Sequence, residues 1–109
     1  EYLTVFKEQK HEEVSPFAFP ILIKDNADIE KIELLKFLDT KKIDHRPIAG
    51  SNLAKQPFME NYSELIEIRG ELANADKVHK NGFFIGLNQD TNESRINYII
   101  KCFNEYFNK

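Results

Sequence analysis

The sequence has little cysteine, no long apolar run and no concentration of charge of one sign. Its single cysteine, Cys102, cannot form a disulfide within the chain, which favours a reducing compartment such as the cytoplasm. No apolar run approaches the roughly 20 residues that cross a bilayer, and no signal peptide is visible. The 15 basic residues are dispersed, and the formal net charge is -3. We therefore expect neither a membrane protein nor a nucleic-acid-binding protein, which would show a basic patch interleaved with aromatic residues.

Patterns for metal binding and self-sufficient catalysis are missing too. The histidines, His11, His45 and His79, are widely spaced and have no cysteine partner, so no metal site is predicted. Cys102 lies within the apolar side of a predicted helix, where it is predicted to be a core residue and not a nucleophile. The segment "NGFFIG", residues 81–86, has neither dinucleotide-binding nor P-loop spacing. The residues alone therefore predict no catalytic residue in this chain.

What the sequence does contain is enough apolar surface for one folded domain, residues 1–109. Hydrophobic residues make up 41% and aromatic residues 12%, and a chain of this length forms one core and not two. β-rich or apolar segments predict four short strands, over residues 2–6, 17–24, 43–48 and 83–87. Helical spacing predicts three helices, over residues 25–42, 74–80 and 90–107. Their order predicts an α+β fold, in which three helices pack on a small mixed sheet.

Local signals predict the ends and faces of these elements. Pro20 places the second strand at an edge or a bulge, since proline cannot donate to a sheet ladder. Asp76 is expected in the first turn of the second helix, and Gly82 is expected to end that helix in the left-handed conformation. Side-chain caps are predicted at Asp25 or Asn26, at Asn74, and at Asp90 in a capping box with Glu93. Apolar stripes are predicted from Ile29, Ile32, Leu35 and Leu38, and from Ile96, Ile99, Ile100, Phe103, Tyr106 and Phe107.

One polar stretch stands out, "IDHRPIAGSNLAKQPF", residues 43–58. Arg46 follows a predicted strand and offers a rigid fork of donors suited to a carboxylate or a phosphate. Gly50 permits close approach to the backbone, and Asn52 and Gln56 can each donate and accept hydrogen bonds, as sugar hydroxyls require. The stretch is either a site for a polar ligand or a long surface loop in which Arg46 forms a salt bridge. The residues alone leave these two interpretations equally open.

Three segments, in this order and spacing, resemble the C-terminal small domain of the DegT/StrS family. The segments are "PFAFPILIK" (16–24), "KKIDHRPIAGSNLAKQPF" (41–58) and "NADKVHKNGFFIGL" (74–87). The family comprises nucleotide-sugar aminotransferases and dehydratases that depend on pyridoxal phosphate, and the resemblance extends from about Leu3 to Phe107. The sequence Gly50, Ser51, Asn52 is closer to the branch of 4-keto-6-deoxy-sugar 3-dehydratases than to the common aminotransferase pattern.

This resemblance implies a longer enzyme of deoxy- or amino-sugar biosynthesis for surface polysaccharides. In the family, a large N-terminal domain holds pyridoxal phosphate or pyridoxamine phosphate, with a Schiff-base lysine or, in the dehydratases, a histidine. The chain begins at Glu1, next to a predicted strand, and is expected to lack that domain and to be inactive alone. The implied partners are the large domain of the same polypeptide, a nucleotide-linked sugar and a second copy in a homodimer.

The resemblance also implies roles for the residues of the polar stretch. The small domain would close over the substrate, where Arg46 would meet a carboxylate or diphosphate. Asn52 and Gln56 would contact the sugar or nucleotide, with the backbone close by at Gly50. His45 is expected to face the opposite side of its strand from Arg46. The alternative is a stand-alone binding or assembly domain that kept the fold, lost the chemistry and exposes an apolar patch.

Overall fold

Four short strands form one antiparallel sheet in the computed structural model, which describes residues 1–108. The strands, in the spatial order β1-β2-β4-β3, are β1 (Leu3–Val5), β2 (Ala18–Ile23), β3 (His45–Arg46) and β4 (Gly82–Gly86). The α+β class and the four strands are confirmed. All three pairings are antiparallel, whereas the sequence predicts a mixed sheet. The reason is that β2 and β3 run in the same direction but β4 inserts between them and runs the opposite way.

Three long helices and one short helix complete the fold. They are α1 (Lys31–Thr40), α2 (Phe58–Tyr62), α3 (Ala73–Asn81) and α4 (Glu93–Phe107). Short 3-10 turns flank α2 at Leu53–Lys55 and Ser63–Leu65. Helices α1, α3 and α4 correspond to the three predicted helices, and α2 was not predicted. No helix within residues 1–108 is both long and apolar enough to cross a lipid bilayer.

One face of the sheet packs against α1 and α4, because alternate residues of β2 and β4 are apolar on that side. The buried core consists of Ile21, Ile23, Leu34, Leu38, Ile43, Phe83, Ile85 and Cys102. Full burial of one large aliphatic or aromatic side chain contributes roughly 1.5–3 kcal/mol. Cys102 is 2% exposed, so its predicted core position is confirmed.

The predicted apolar stripes of the helices are only partly buried. In α1, Leu38 of the predicted stripe is fully buried and Leu35 packs against the core, whereas Ile32 is 57% exposed. Leu34, which the predicted stripe did not include, is also fully buried. In α4, Ile99 and Phe103 pack against the core, but Ile96 and Ile100 are about half exposed. A stripe at helical spacing therefore identifies the helix, and the packing partner decides which part of the stripe is covered.

The start of α1 differs from the prediction. The helix begins at Lys31 and has no side-chain cap, so neither Asp25 nor Asn26 caps it. Asp25 instead contacts α3, where its two carboxylate oxygens accept bonds from Lys77 Nζ at 2.7 Å and Asn81 Nδ2 at 2.9 Å. The Asp25 carboxylate, which the sequence predicted as a helix cap, thus connects two segments that are distant in the chain.

The starts of α3 and α4 also correct the predicted caps. Asn74 lies inside α3 and is not its cap, while Asp76 is in the first turn as predicted. In α4 the cap is Asn92, whose Oδ1 accepts a 3.1 Å bond from the backbone N–H of Arg95, and not Asp90. Asp90 belongs to the turn before the helix. Asn92 satisfies one of the amide groups that the helix start leaves unpaired.

The other face of the sheet carries Pro20 and Phe84, which are paired across β2 and β4. Pairing of β2 with β1 begins only at Ile21, so Pro20 has a neighbouring strand on one side alone. The predicted edge position is therefore correct at Pro20, although β2 is central in the sheet at the residues that follow.

Gly82 joins α3 directly to β4 without the predicted left-handed turn. Its φ is -89° and its ψ 142°, which is extended backbone, so the predicted conformation is wrong. A Cβ at this position would lie 2.5 Å from the carbonyl oxygen of Val78 and 2.8 Å from Cδ1 of Ile48. Glycine is required here for close packing of α3 and the loop after β3, and not for a special backbone conformation.

Candidate functional site

Arg46 lies on β3, the edge strand, with its side chain on the sheet face opposite to α1 and α4. The pairing with β4 places Arg46 opposite Phe84 and places His45 opposite Ile85, a residue of the core. His45 faces the core side, where its Nε2 lies 3.0 Å from Oδ1 of Asp39. The prediction that His45 and Arg46 face opposite sides of the strand is confirmed.

The guanidinium of Arg46 is open to solvent, because 68% of the side chain is exposed. Its ion pair with Asp44 is long, with 3.8 Å between nitrogen and oxygen, and both side chains are exposed. Such a pair contributes only about 0–1 kcal/mol, so a ligand could replace it at little cost. Beside Arg46, the rings of Phe84 and Phe17 meet edge to face with centroids 5.8 Å apart. Arg46 thus stands next to a partly exposed aromatic surface.

The loop after β3, residues 47–57, turns at Gly50. Gly50 has φ 72° and Ser51 has φ 41°, both in the left-handed region, which glycine adopts without strain. The carbonyl of Gly50 accepts a 3.3 Å bond from Nε2 of Gln56, and Ser51 Oγ donates to the carbonyl of Ile48 at 2.6 Å. The loop therefore folds on itself and brings Gly50 and Gln56, two of the predicted site residues, together.

Asn52 is placed differently from the other predicted site residues, because it is buried and only 2% exposed. Its Oδ1 accepts a 3.0 Å bond from the backbone N–H of Ala54 and caps the 3-10 turn that follows. Its Nδ2 donates to Oδ1 of Asp76 at 2.6 Å. The amide is therefore bonded within the protein, whereas Arg46 faces solvent.

Asp76 joins this site although the sequence analysis assigned it only to the first turn of a helix. The carboxylate oxygen that accepts from Asn52 also lies 2.7 Å from Nζ of Lys55. Hydrogen bonds from Lys55 and, second, from Asn52 lower the pKa of the Asp76 carboxyl below its ordinary value. The partner amide lies 24 residues earlier in the chain, so no local sequence signal could have paired the two.

One cavity lies beside the loop, and a second has no residue of the loop in its lining. One, of about 420 Å³, adjoins Asn52 and is lined mainly by apolar side chains, among them Leu53, Phe58, Met59, Ile66 and Leu72. The other, of about 470 Å³, lies between the end of β4 and α4 and includes Phe19, Leu87, Arg95, Ile96, Ile99 and Ile100. The first cavity places apolar side chains beside the loop. Ligand sites typically combine such apolar side chains with a few polar groups.

Comparison with known proteins identifies the family to which this arrangement belongs. Residues 1–104 match the DegT/DnrJ/EryC1/StrS aminotransferase family, so the match includes β3, the 47–57 loop and Asp76. The chain belongs to this family. The resemblance carried by the three sequence segments is confirmed.

The similar proteins are enzymes of nucleotide-sugar metabolism or polysaccharide synthesis. The lipopolysaccharide biosynthesis protein RfbH of Salmonella typhimurium is 32% identical over 107 residues, which are 98% of this chain and 24% of RfbH. The GDP-4-keto-6-deoxy-D-mannose 3-dehydratase of Yersinia pseudotuberculosis is 31% identical over 97 residues, 79% of this chain and 24% of that enzyme. A crystal structure of GDP-4-keto-6-deoxymannose-3-dehydratase (ColD) with bound GDP-perosamine superposes with a TM-score of 0.79 at 27% identity, covering 93% of this chain and 25% of ColD. The chain thus spans about a quarter of the length of these relatives.

Pyridoxal phosphate is bound by a related solved structure, the E. coli GDP-4-keto-6-deoxy-D-mannose-3-dehydratase with hydrated cofactor. In the present chain, burial lowers the pKa of Lys31, as it does for many reactive lysines. Its Nζ, however, donates to the carbonyls of His79 at 2.9 Å and Gly82 at 3.4 Å and so ties α1 to the end of α3. The Lys31 amine is therefore engaged in a contact between α1 and α3 and is not placed to bind this cofactor.

Proposed function

We propose that residues 1–109 are the C-terminal small domain of a cytoplasmic enzyme, dependent on pyridoxal phosphate or pyridoxamine phosphate, for surface polysaccharide biosynthesis. Its substrate would be a nucleotide-linked 4-keto-6-deoxy sugar. The similarity to RfbH and to two GDP-4-keto-6-deoxy-D-mannose 3-dehydratases supports this class of substrate. We favour 3-dehydration over amination because three relatives, of which one acts on a dTDP sugar, are named 3-dehydratases.

The proposed role of this domain is recognition of the substrate and closure of the active site. The cofactor would be held by the large domain of the same polypeptide, and the enzyme would work as a homodimer. Closing a small domain over a substrate excludes water and strengthens the electrostatic contacts inside the site. The partly exposed aromatic surface formed by Phe17 and Phe84 is the part of this domain that such closure would cover.

The observation that carries this proposal is the exposed guanidinium of Arg46 beside a polar loop with internal hydrogen bonds. Its fork of donors matches the oxygens of a diphosphate, and its weak pair with Asp44 offers little competition. Gln56 and the backbone at Gly50 would then contact the sugar or the nucleoside. Asn52, because it is buried, would support these contacts by shaping the loop.

The proposal is tested by comparing Arg46→Ala with Arg69→Ala in the full-length protein. Arg69 is also exposed but pairs at 2.8 Å with its near neighbour Glu67, so its removal controls for the loss of one positive charge. Binding of GDP-4-keto-6-deoxy-D-mannose and of a dTDP-4-keto-6-deoxy sugar is measured by isothermal titration calorimetry. We expect Arg46→Ala to weaken binding about 10- to 100-fold, the loss typical of hydrogen bonds to charged groups.

The outcomes separate the parts of the proposal. If the wild-type protein binds neither sugar nucleotide, the proposed substrate class is wrong. If it binds one of them and Arg46→Ala binds equally well, the substrate class stands and Arg46 is not part of the site. An unchanged urea denaturation midpoint for Arg46→Ala would show that a loss of binding does not arise from unfolding.

A second candidate function is a stand-alone binding or assembly domain. The observation that favours it is the exposure of large apolar side chains on both sides of the sheet, with Phe17 at 79% and Ile100 at 51%. This candidate predicts that no large cofactor-binding domain is encoded in frame before Glu1, and that the 109-residue chain forms a defined oligomer in sedimentation experiments. An upstream domain with a lysine or histidine in its cofactor pocket would rule it out.

A further inference from the structure

The carboxylate of Asp76 connects helix α3 to the loop that carries the proposed substrate contacts. One oxygen, Oδ1, accepts from Nδ2 of Asn52 at 2.6 Å and lies 2.7 Å from Nζ of Lys55. We propose that Asp76 is a positioning residue, which holds the 47–57 loop in the conformation in which Gln56 and Arg46 meet the nucleotide sugar. This inference rests on the function proposed above.

The loop is held at two points along α3. At the C-terminal end of the helix, Ile48 packs so closely on Gly82 that a Cβ there would lie 2.8 Å from Ile48 Cδ1. At the N-terminal end, Asp76 bonds to Asn52 and Lys55. The segment between these contacts contains the turn at Gly50, so the two contacts together determine where that turn lies relative to the sheet.

The backbone of the loop needs such support. Ser51 has φ 41°, a left-handed conformation that a residue with a side chain adopts only when its surroundings impose it. Its own hydroxyl stabilises the turn by donating to Ile48 at 2.6 Å, and the neighbouring residue Asn52 is fixed by its bonds to Ala54 and Asp76. Without Asp76, the strained turn would lose the contact that anchors its C-terminal side.

Burial makes the contact between Asn52 and Asp76 important for the position of the loop. Asn52 is 2% exposed, so removing the carboxylate would leave an amide N–H buried without its present acceptor. Such a group is strongly unfavourable and turns toward water when the backbone allows it. A loop with a glycine turn can make this movement, and it would displace Gln56, whose amide bonds to the same turn at Gly50.

The chain offers a matched control for a purely structural effect, because Asp25 makes the same kind of contact elsewhere. Asp25 accepts from Asn81 Nδ2 at 2.9 Å and from Lys77 Nζ at 2.7 Å, which ties α3 to the segment after β2. The carboxylates of Asp25 and Asp76 therefore each accept from one side-chain amide and one lysine, in a contact that involves α3. Of these two residues, Asp76 contacts the 47–57 loop and Asp25 does not.

The test compares Asp76→Ala, Asp76→Asn and Asp25→Ala in the full-length enzyme with GDP-4-keto-6-deoxy-D-mannose and a dTDP-4-keto-6-deoxy sugar as substrates. We expect Asp76→Ala to raise KM about tenfold and to leave kcat within about twofold, since lost positioning of a binding loop weakens ground state and transition state alike. Asp76→Asn, which keeps an acceptor for Asn52, should show a smaller rise. Asp25→Ala should leave KM within about twofold of wild type.

A double-mutant cycle of Asp76→Ala with Gln56→Ala adds a measurement that general stability does not affect. If Asp76 acts through the loop, the fold-increase in KM of the double variant should be well below the product of the fold-increases of the two single variants. Equal KM changes for Asp76→Ala and Asp25→Ala, or strict additivity with Gln56→Ala, would overturn the inference. If Asp76→Ala does not fold, Asn52→Ala removes the same contact from the loop side, and an unchanged KM for that variant would overturn the inference. A wild-type enzyme that turns over neither sugar would instead refute the proposed function itself.

Discussion

Gly82 provides the sharpest test of how α3, β4 and the loop pack together. In Gly82→Ala the new methyl group would lie 2.5 Å from the carbonyl oxygen of Val78 and 2.8 Å from Ile48 Cδ1. The carbonyl belongs to the last turn of α3 and cannot move away as a flexible side chain can. Either α3 or the loop would have to shift by several tenths of an ångström.

The size of the effect follows from two opposing terms. Inserting a methyl group into a closely packed site typically costs about 1–3 kcal/mol. Replacing glycine with alanine also restricts the unfolded chain, which stabilises a protein by about 0.4–1 kcal/mol where the backbone conformation permits alanine. The φ of -89° at Gly82 is such a conformation. We therefore expect Gly82→Ala to lower the free energy of unfolding by about 1–2 kcal/mol.

Gly86 is the matched control, since it lies on the same strand and the same face and a Cβ there would meet nothing within 4 Å. Gly86→Ala should leave the free energy of unfolding unchanged or raise it by up to about 1 kcal/mol. Urea denaturation followed by circular dichroism gives both values from the midpoints at constant slope. Equal stabilities of the two variants would refute the argument that Gly82 is required for space.

Two further predictions concern the start of α4 and the charge of Asp76. Asn92→Ala should lower the free energy of unfolding by about 1 kcal/mol, because it removes the hydrogen bond that Asn92 accepts from the backbone N–H of Arg95. Asp90→Ala should change the free energy of unfolding by less than about 0.5 kcal/mol. Equal losses for the two variants in urea denaturation would contradict this. Lys55 lowers the pKa of the Asp76 carboxyl in the folded protein. The ionised carboxylate therefore contributes to stability above its ordinary pKa, and this contribution is lost as the pH falls through the lower, folded-state pKa. Asp76→Asn should therefore show a smaller fall in Tm below about pH 4 than wild type, and identical Tm profiles would exclude this contribution.

The strands and helices were predictable where one local pattern was enough. A regular strand over residues 43–48 predicted that His45 and Arg46 face opposite sides, and the stripe of α4 predicted a helix that buries Cys102. The helix caps were not predictable in this way, because Asp25, Asn74 and Asp90 all have suitable side chains. Which polar group caps a helix depends on where the preceding turn ends, and that depends on packing.

The parts of the candidate site were visible in the sequence, but their arrangement was not. Arg46 and Gly50 could be selected from residue chemistry alone, and Arg46 is exposed while Gly50 has the positive φ of a turn. Asn52 has the same donors and acceptors whether it faces a ligand or Asp76. Its burial, and the involvement of Asp76 and Lys55, depend on α3 packing beside a loop that lies far away in the sequence.

The sequence by itself therefore determined the α+β class, the identity of the main elements, the core position of Cys102 and the family. These follow from side-chain periodicity and from motifs that are contiguous in the chain. Only the tertiary structure decided that β4 inserts between β2 and β3, that Gly82 is needed for space, and that Asp76 bonds to Asn52 and Lys55 of the loop. These features arise between segments that are distant in sequence, where steric fit and the pairing of buried polar groups act only after the chain has folded.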